Sequence, residues 1–343
     1  MKANLQHIDE IRFFVIHLIL INHWTYSLYL VEGGFDNTLV NFFFELTSPA
    51  LSLISGYLFF YRTKDHFNFG KKLRSRFHSL VVPYLFWTCT FFVLYYVMKE
   101  LYLHVFHVKY WFNPVQPINL KNLLASLADP PLVNFWYLQN LILIIPFNFL
   151  IYYLVRNPYI FFPVLVLIIC IYAFNSFNLY FQPRFLPFYL LGSFFGYHEK
   201  HVPRIRLNYA YSIVLIPVLF FASSQTVFLR YCNVSIIIFK ILIVFFFVFA
   251  VYNMFDSHQD SLLFRYLKKY KGYSFFLFAI HMFMFTLVQR ALLKVGVETY
   301  LQNKYFALLF QVVSLAGVLF LTFSLAALIK SRLPKFYLLI TGR

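Results

Sequence analysis

Arg12 and His23 stand eleven residues apart in an apolar stretch that reads IDEIRFFVIHLILINHW. On an α-helix, eleven steps of about 100° return to within about 20° of the starting direction and climb about 16 Å. The two residues therefore share one face, and Asp9, three residues before Arg12, joins it. If Arg12 sits near the edge of a hydrocarbon core about 30 Å thick, His23 comes close to its midplane. Ionisable groups at that depth are costly and are usually functional. A neutral imidazole can take a proton near neutral pH, so His23 is a candidate general base. Arg12 stays protonated and offers a planar fork to a phosphate, a carboxylate or Asp9. A proton relay would use the same residues. In the plainer reading, Arg12 snorkels to the headgroups and His23 bonds a neighbouring helix.

Other residues could line the same cavity. The stretch FFFELTSPALSLISGYLFF carries Glu45, a kink-forming Pro49, Ser48, Ser52 and the pair Ser55-Gly56. An intramembrane carboxylate such as Glu45 needs a partner, a proton or water. The small residues otherwise serve close helix packing. Lys71, Lys72, Arg74, Arg76 and His78 follow in FGKKLRSRFHSLVVPYLFW. They are either a membrane anchor or a cradle for phosphates. Trp136 and Tyr137 are expected at the outer start of a span, where an aromatic belt alone would place them. His281, in FLFAIHMFMF, reads as a core histidine or a second polar group of the site. His104 and His107 are expected to be solvated loop residues, and no metal centre is expected.

The elements that must position these residues are membrane helices. The 343 residues are 61% hydrophobic, 23% aromatic and 12% charged, and apolar runs of about 20 residues recur throughout. The expected fold is an all-α polytopic membrane protein, a single integral-membrane domain over 1–343 with about ten transmembrane helices. The predicted spans are 11–31, 39–61, 81–103, 135–155, 159–177, 185–197, 209–228, 234–254, 274–293 and 305–329, the seventh interrupted by Pro217. The first carries no small-residue cleavage pattern and is expected to be retained. Basic residues crowd one set of connections, such as 62–76 and 265–271, which puts the N- and C-termini in the cytoplasm. The net charge of +17 is thus a topology signal, and no nucleic acid is expected. Cys89, Cys170 and Cys232 form no metal or disulfide pattern.

These residues together resemble the acyltransferase 3 family of multispan membrane proteins, particularly its bacterial sugar O-acetylase branch. The resemblance rests on Asp9, Arg12 and His23; Pro49 with Ser55-Gly56-Tyr57; Arg76 with Pro83-Tyr84 and Phe86-Trp87; Trp136-Tyr137-Leu138; FYLLGSFFG from Phe188 to Gly196; and His281. The chain departs from the family pattern at Thr47, Asn134 and Met282, which bears on substrate class. The resemblance implies a cell-membrane (inner or plasma membrane), multi-pass O-acyltransferase. It would use cytosolic acyl-CoA, most simply acetyl-CoA, and an acceptor hydroxyl on a cell-envelope or exported glycan or a lipid-linked sugar. In that scheme Arg12, Lys72, Arg74, Arg76 and Ser55 hold the donor, and Asp9 orients Arg12. His23 deprotonates the hydroxyl or relays the acyl group covalently. Glu45, Trp136, Tyr137 and His281 line the acceptor side. Besides the bilayer, polysaccharide synthesis and export machinery is the expected partner. Two other classes use the same residues: a transporter or flippase of a glycan intermediate without acyl transfer, and a structural subunit of an export complex.

Overall fold

Asp9 and Glu10 fall in the first turn of the first helix, where carboxylates meet the positive end of the helix dipole. That helix, α1, runs Ile8–Leu28 without a break. The computed structural model describes residues 7–28, 37–61, 63, 67–104, 117–174, 185–198, 218, 233–294 and 304–342, and these hold no β-strand. Apart from residue 218, the expected span 209–228 with Pro217 lies outside the described residues, as do Cys232 and His107. The remaining helices are α2 Asn37–Phe60, α3 Phe69–Arg76, α4 Val82–His104, α5 Leu120–Ala128, α6 Trp136–Ile144, α7 Asn148–Arg156 and α8 Pro158–Phe174. After them come α9 Leu186–Tyr197, α10 Asn233–Ser257, α11 Leu262–Tyr270, α12 Ser274–Lys294, α13 Lys304–Arg332 and α14 Pro334–Thr341.

Among the described residues, four stretches are long and apolar enough to cross a membrane: Phe69–Glu100, Lys240–Ser257, Leu262–Val288 and Val312–Arg332. A fifth arises if α6 and α7 count as one span, bent by 69°. The predicted span 135–155 is therefore broken. Pro146 has no N–H to continue the helical ladder, and Ile145 N closes a tighter turn on the Ile142 carbonyl at 3.2 Å. Pro49, by contrast, lies inside a continuous α2.

The chain forms two compact units. The first comprises Met1–Phe69, Pro146–Ser274 and Gly296–Leu315; the second comprises Gly70–Ile145, Phe275–Val295 and Ala316–Arg343. In the first, α2 and α9 pack backbone to backbone. A Cβ on Gly192 would strike the Leu53 carbonyl, and one on Gly196 the Tyr57 carbonyl. A Cβ on Gly56 would come within 2.9 Å of the Ser193 nitrogen. Ser52, fully buried, donates to the Phe185 carbonyl at 2.8 Å. This is the small-residue route by which helices approach closely in lipid.

The second unit is organised around α4. Its start carries a π-helical turn, Phe77–Val81, in which Val82 N–H bonds the Phe77 carbonyl. The wider turn accommodates Pro83, whose ring would otherwise crowd the carbonyl four residues back, that of Ser79. The C-terminal end of α14 seats on this turn. Gly342 has a left-handed φ of 69°, and a Cβ there would meet the Ser79 carbonyl. Trp87 Nε1 donates to the Ile340 carbonyl at 2.9 Å.

Depth along α4 places the other elements of this unit. From Tyr84 to His104 the helix climbs about 30 Å. Tyr84 donates to the Leu127 carbonyl at 2.6 Å. The Phe135 ring lies 6.2 Å from Tyr84 and 6.3 Å from Phe91. The chain that leaves α4 at His104 has thus returned to the Arg76 end of α4 by Leu127. α12 runs alongside in the same direction, with Phe276 beside Trp87 at 5.6 Å and Phe283 beside Phe91 at 5.6 Å.

Candidate active site

In the first unit the candidate residues lie along α1. Arg12 Nη1 and Asp9 Oδ1 are 3.8 Å apart, with side chains 44% and 63% exposed. So open a pair contributes under about 1 kcal/mol to stability and orients the guanidinium loosely. His23 is half-buried on the same unbroken helix, so the stripe expected from spacing exists as a helical face. Ser55 is half-buried beside Gly56, at the seam between α2 and α9. Glu45 lies on α2, and its side chain is outside the described residues.

A second polar stripe runs along α1. Glu10 is 2% exposed, and its Oε1 accepts from Lys271 Nζ at 2.8 Å. His17 Nδ1 faces the Phe13 carbonyl at 2.8 Å, so that nitrogen carries the proton. In the neutral ring Nε2 is then the acceptor for the Tyr266 hydroxyl, 3.1 Å away. Seven residues separate Glu10 from His17, and that step returns to within about 20°. This stripe lies roughly 140° around the helix from Arg12 and His23. His7, also buried, has Nε2 3.8 Å from Asp256 Oδ1. The spacing of Glu10 and His17 was a signal open to sequence reasoning; their partners were not.

In the second unit the basic residues sit on α3. Lys71 and Arg74 are exposed, while Lys72 and Arg76 are half-buried. Separately, His281 meets the Phe278 carbonyl, Tyr137 packs on the Phe278 ring, and Trp136 packs on Tyr137. His281 is fully buried, and its Nδ1 faces this carbonyl at 2.7 Å. Asn134 Nδ2 donates to the same oxygen at 2.7 Å. Tyr137 packs edge-on to the Phe278 ring at 6.2 Å, and Trp136 edge-on to Tyr137 at 6.1 Å. A carbonyl accepting twice fixes the His281 ring with its Nε2 lone pair as the acceptor of the neutral form. Trp136 was expected where a span starts at the outer face. The structure puts it next to Phe135, whose ring lies 6.2 Å from Tyr84 and 6.3 Å from Phe91 of α4. Among the described residues no three His, Cys, Asp or Glu side chains come together to hold a metal ion.

Comparison with known proteins gives the chemistry a class. Residues 5–329 match the acyltransferase domain family. The succinoglycan biosynthesis protein ExoH of Rhizobium meliloti (strain 1021) is 30% identical over 102 residues, which cover 30% of this chain and 28% of that protein. The matched stretch is thus less than a third of either chain. No solved structure matches. A helical chain with several stretches long and apolar enough to cross a membrane, a stripe of Asp9, Arg12 and His23, and a family match over nearly its whole length belongs to the acyltransferase 3 family.

Proposed function

We propose that the protein transfers an acyl group, most simply acetyl, from cytosolic acyl-CoA to a hydroxyl of a cell-envelope or exported glycan or lipid-linked sugar. The observation that carries this reading is the stripe on α1, in a chain of acyltransferase type. The relative's role in succinoglycan biosynthesis supports a polysaccharide-related acceptor. The acceptor oxygen attacks the thioester carbonyl carbon as His23 takes the hydroxyl proton. The C–S bond then breaks, the electron pair stays on sulfur, and the proton passes from His23 to the departing thiolate. Arg12, with Asp9 beside it, holds the donor. Lys72, Arg74 and Arg76 supply positive charge to its phosphates, and Ser55 lies on the donor side.

Glu45, Trp136, Tyr137 and His281 line the acceptor's approach. The chain acts as one domain of about ten spans in the inner or plasma membrane, with both termini in the cytoplasm. It works beside polysaccharide synthesis and export machinery and needs no metal. The test is donor dependence. Purified protein in lipid nanodiscs, given acetyl-CoA and a glycan extract of the native host, should release free CoA thiol only when the extract is present. Folded protein that releases none, with acetyl-CoA or a longer acyl-CoA, would contradict the proposal.

A further inference from the structure

The second polar stripe of α1 takes no part in the chemistry just described, yet it is built of two short polar contacts to another element. Glu10 is a buried carboxylate whose Oε1 receives a short charge-assisted bond from Lys271. Its Oε2 has no hydrogen-bond partner among the described residues. The carboxylate therefore depends heavily on Lys271, since a buried charge stripped of its partner is strongly destabilising. One face-repeat further along, His17 presents Nε2 to the Tyr266 hydroxyl. Both partners come from one short piece of chain, α11 and the tight turn Lys271–Tyr273 that follows it. That piece is itself fixed. Ser261 caps α11 by accepting from Phe264 N at 3.2 Å, and Phe264 and Leu267 are buried. Tyr266 also stacks on Phe13 at 6.2 Å and meets the His17 ring edge-on at 5.6 Å.

We infer that Glu10 and His17, held by Lys271 and Tyr266, are positioning residues that set the rotation of α1 and so place Arg12 and His23. This rests on the reading of Arg12 and His23 as the reacting stripe. Apolar packing alone tolerates small turns of a helix about its axis, because many similar side-chain arrangements bury the same area. Two directional bonds about 10 Å apart along one face do not. They fix rotation and axial position together, which is the best-attested use of buried polar pairs. The lever is large enough to matter. A side chain reaching about 6 Å from the axis moves about 2 Å for a 20° rotation, and misplacements of about 1 Å can cost about a hundredfold in rate. The clamp lies roughly 140° from the reacting stripe, so it fixes the helix without occupying the substrate's space.

The experiment compares wild type, Tyr266→Phe, His17→Gln, Glu10→Gln, Lys271→Met and the exchange Glu10→Lys with Lys271→Glu. All are full-length proteins in nanodiscs, assayed for acetyl-CoA consumption with host glycan extract, with Arg12→Ala and His23→Ala in parallel. Tyr266→Phe removes one hydroxyl and keeps the ring. It is expected to lower kcat about tenfold while KM for acetyl-CoA stays within about twofold, with thermal unfolding little changed. Glu10→Gln and Lys271→Met should fall further, and the exchange should recover part of the loss. Should the charge variants fail to fold, Tyr266→Phe and His17→Gln decide the matter. Folded Tyr266→Phe and His17→Gln with wild-type kcat, alongside inactive Arg12→Ala and His23→Ala, would overturn the positioning role alone. Full activity of Arg12→Ala and His23→Ala would overturn the reading on which it rests.

Discussion

At the residue scale, α1 separates two kinds of ion pair by burial. Asp9 and Arg12 meet at 3.8 Å in a largely open setting, whereas Glu10 and Lys271 meet at 2.8 Å with the carboxylate buried. Replacing Asp9 with Asn should therefore cost under about 1 kcal/mol of stability, read by thermal unfolding in nanodiscs. Turnover should still fall about tenfold if Asp9 orients the guanidinium. Arg12→Lys keeps the charge and loses the planar fork, so its turnover should fall well below that of Asp9→Asn. Wild-type turnover in Arg12→Lys would reduce Arg12 to a point charge. The face shared by Arg12 and His23 was legible in the sequence because helical periodicity is a local property. The partners of Glu10 and His17 were not, since Lys271 lies 261 residues from Glu10 and Tyr266 lies 249 from His17. No local pattern pairs such positions.

At the element scale, glycines report where backbones touch. Gly192 and Gly196 let α9 lie against the carbonyls of Leu53 and Tyr57, while Gly317 faces only the Val288 side chain, at 3.4 Å. Gly196→Val should therefore lose monodisperse protein on size-exclusion chromatography, and Gly317→Ala should keep it with an unfolding temperature close to wild type. Equal behaviour of the two would contradict the packing described. The small residues of α2 and the GSFFG of α9 were visible in the sequence, but their mutual contact was not, because each helix alone is compatible with many partners. The break in α6–α7 was also hidden. Proline stands inside continuous helix at Pro49 and at a 69° bend at Pro146, so its presence alone does not decide the outcome.

At the scale of the whole molecule, the sequence made the helical, membrane-spanning class plain through its long apolar runs. It left obscure the path between His104 and Trp136, whose apolar character fits both a cap and a return into the bilayer. The bond from Tyr84 to Leu127 sets the end of α5 against α4, nearer its Arg76 end than its His104 end. In a cysteine-replaced background, Asp129→Cys, at an exposed position just past α5, should react with a membrane-impermeant maleimide from the same side as Arg74→Cys. Labelling of Asp129→Cys only from the opposite side would contradict the depth assigned to α5. The positive flank of α3 and the polar stripe of α1 belong to one chain of the acyltransferase 3 family, so the decisive question is whether that chain moves an acyl group and through which residues. The measurement is transfer of radiolabelled acetyl from acetyl-CoA to the native host's membrane glycan, by protein in nanodiscs, for wild type, Arg12→Ala and His23→Ala. Acyl transfer through these residues requires label on the glycan with wild type and its loss in both variants, each still folded. Undiminished transfer by a folded His23→Ala would contradict it.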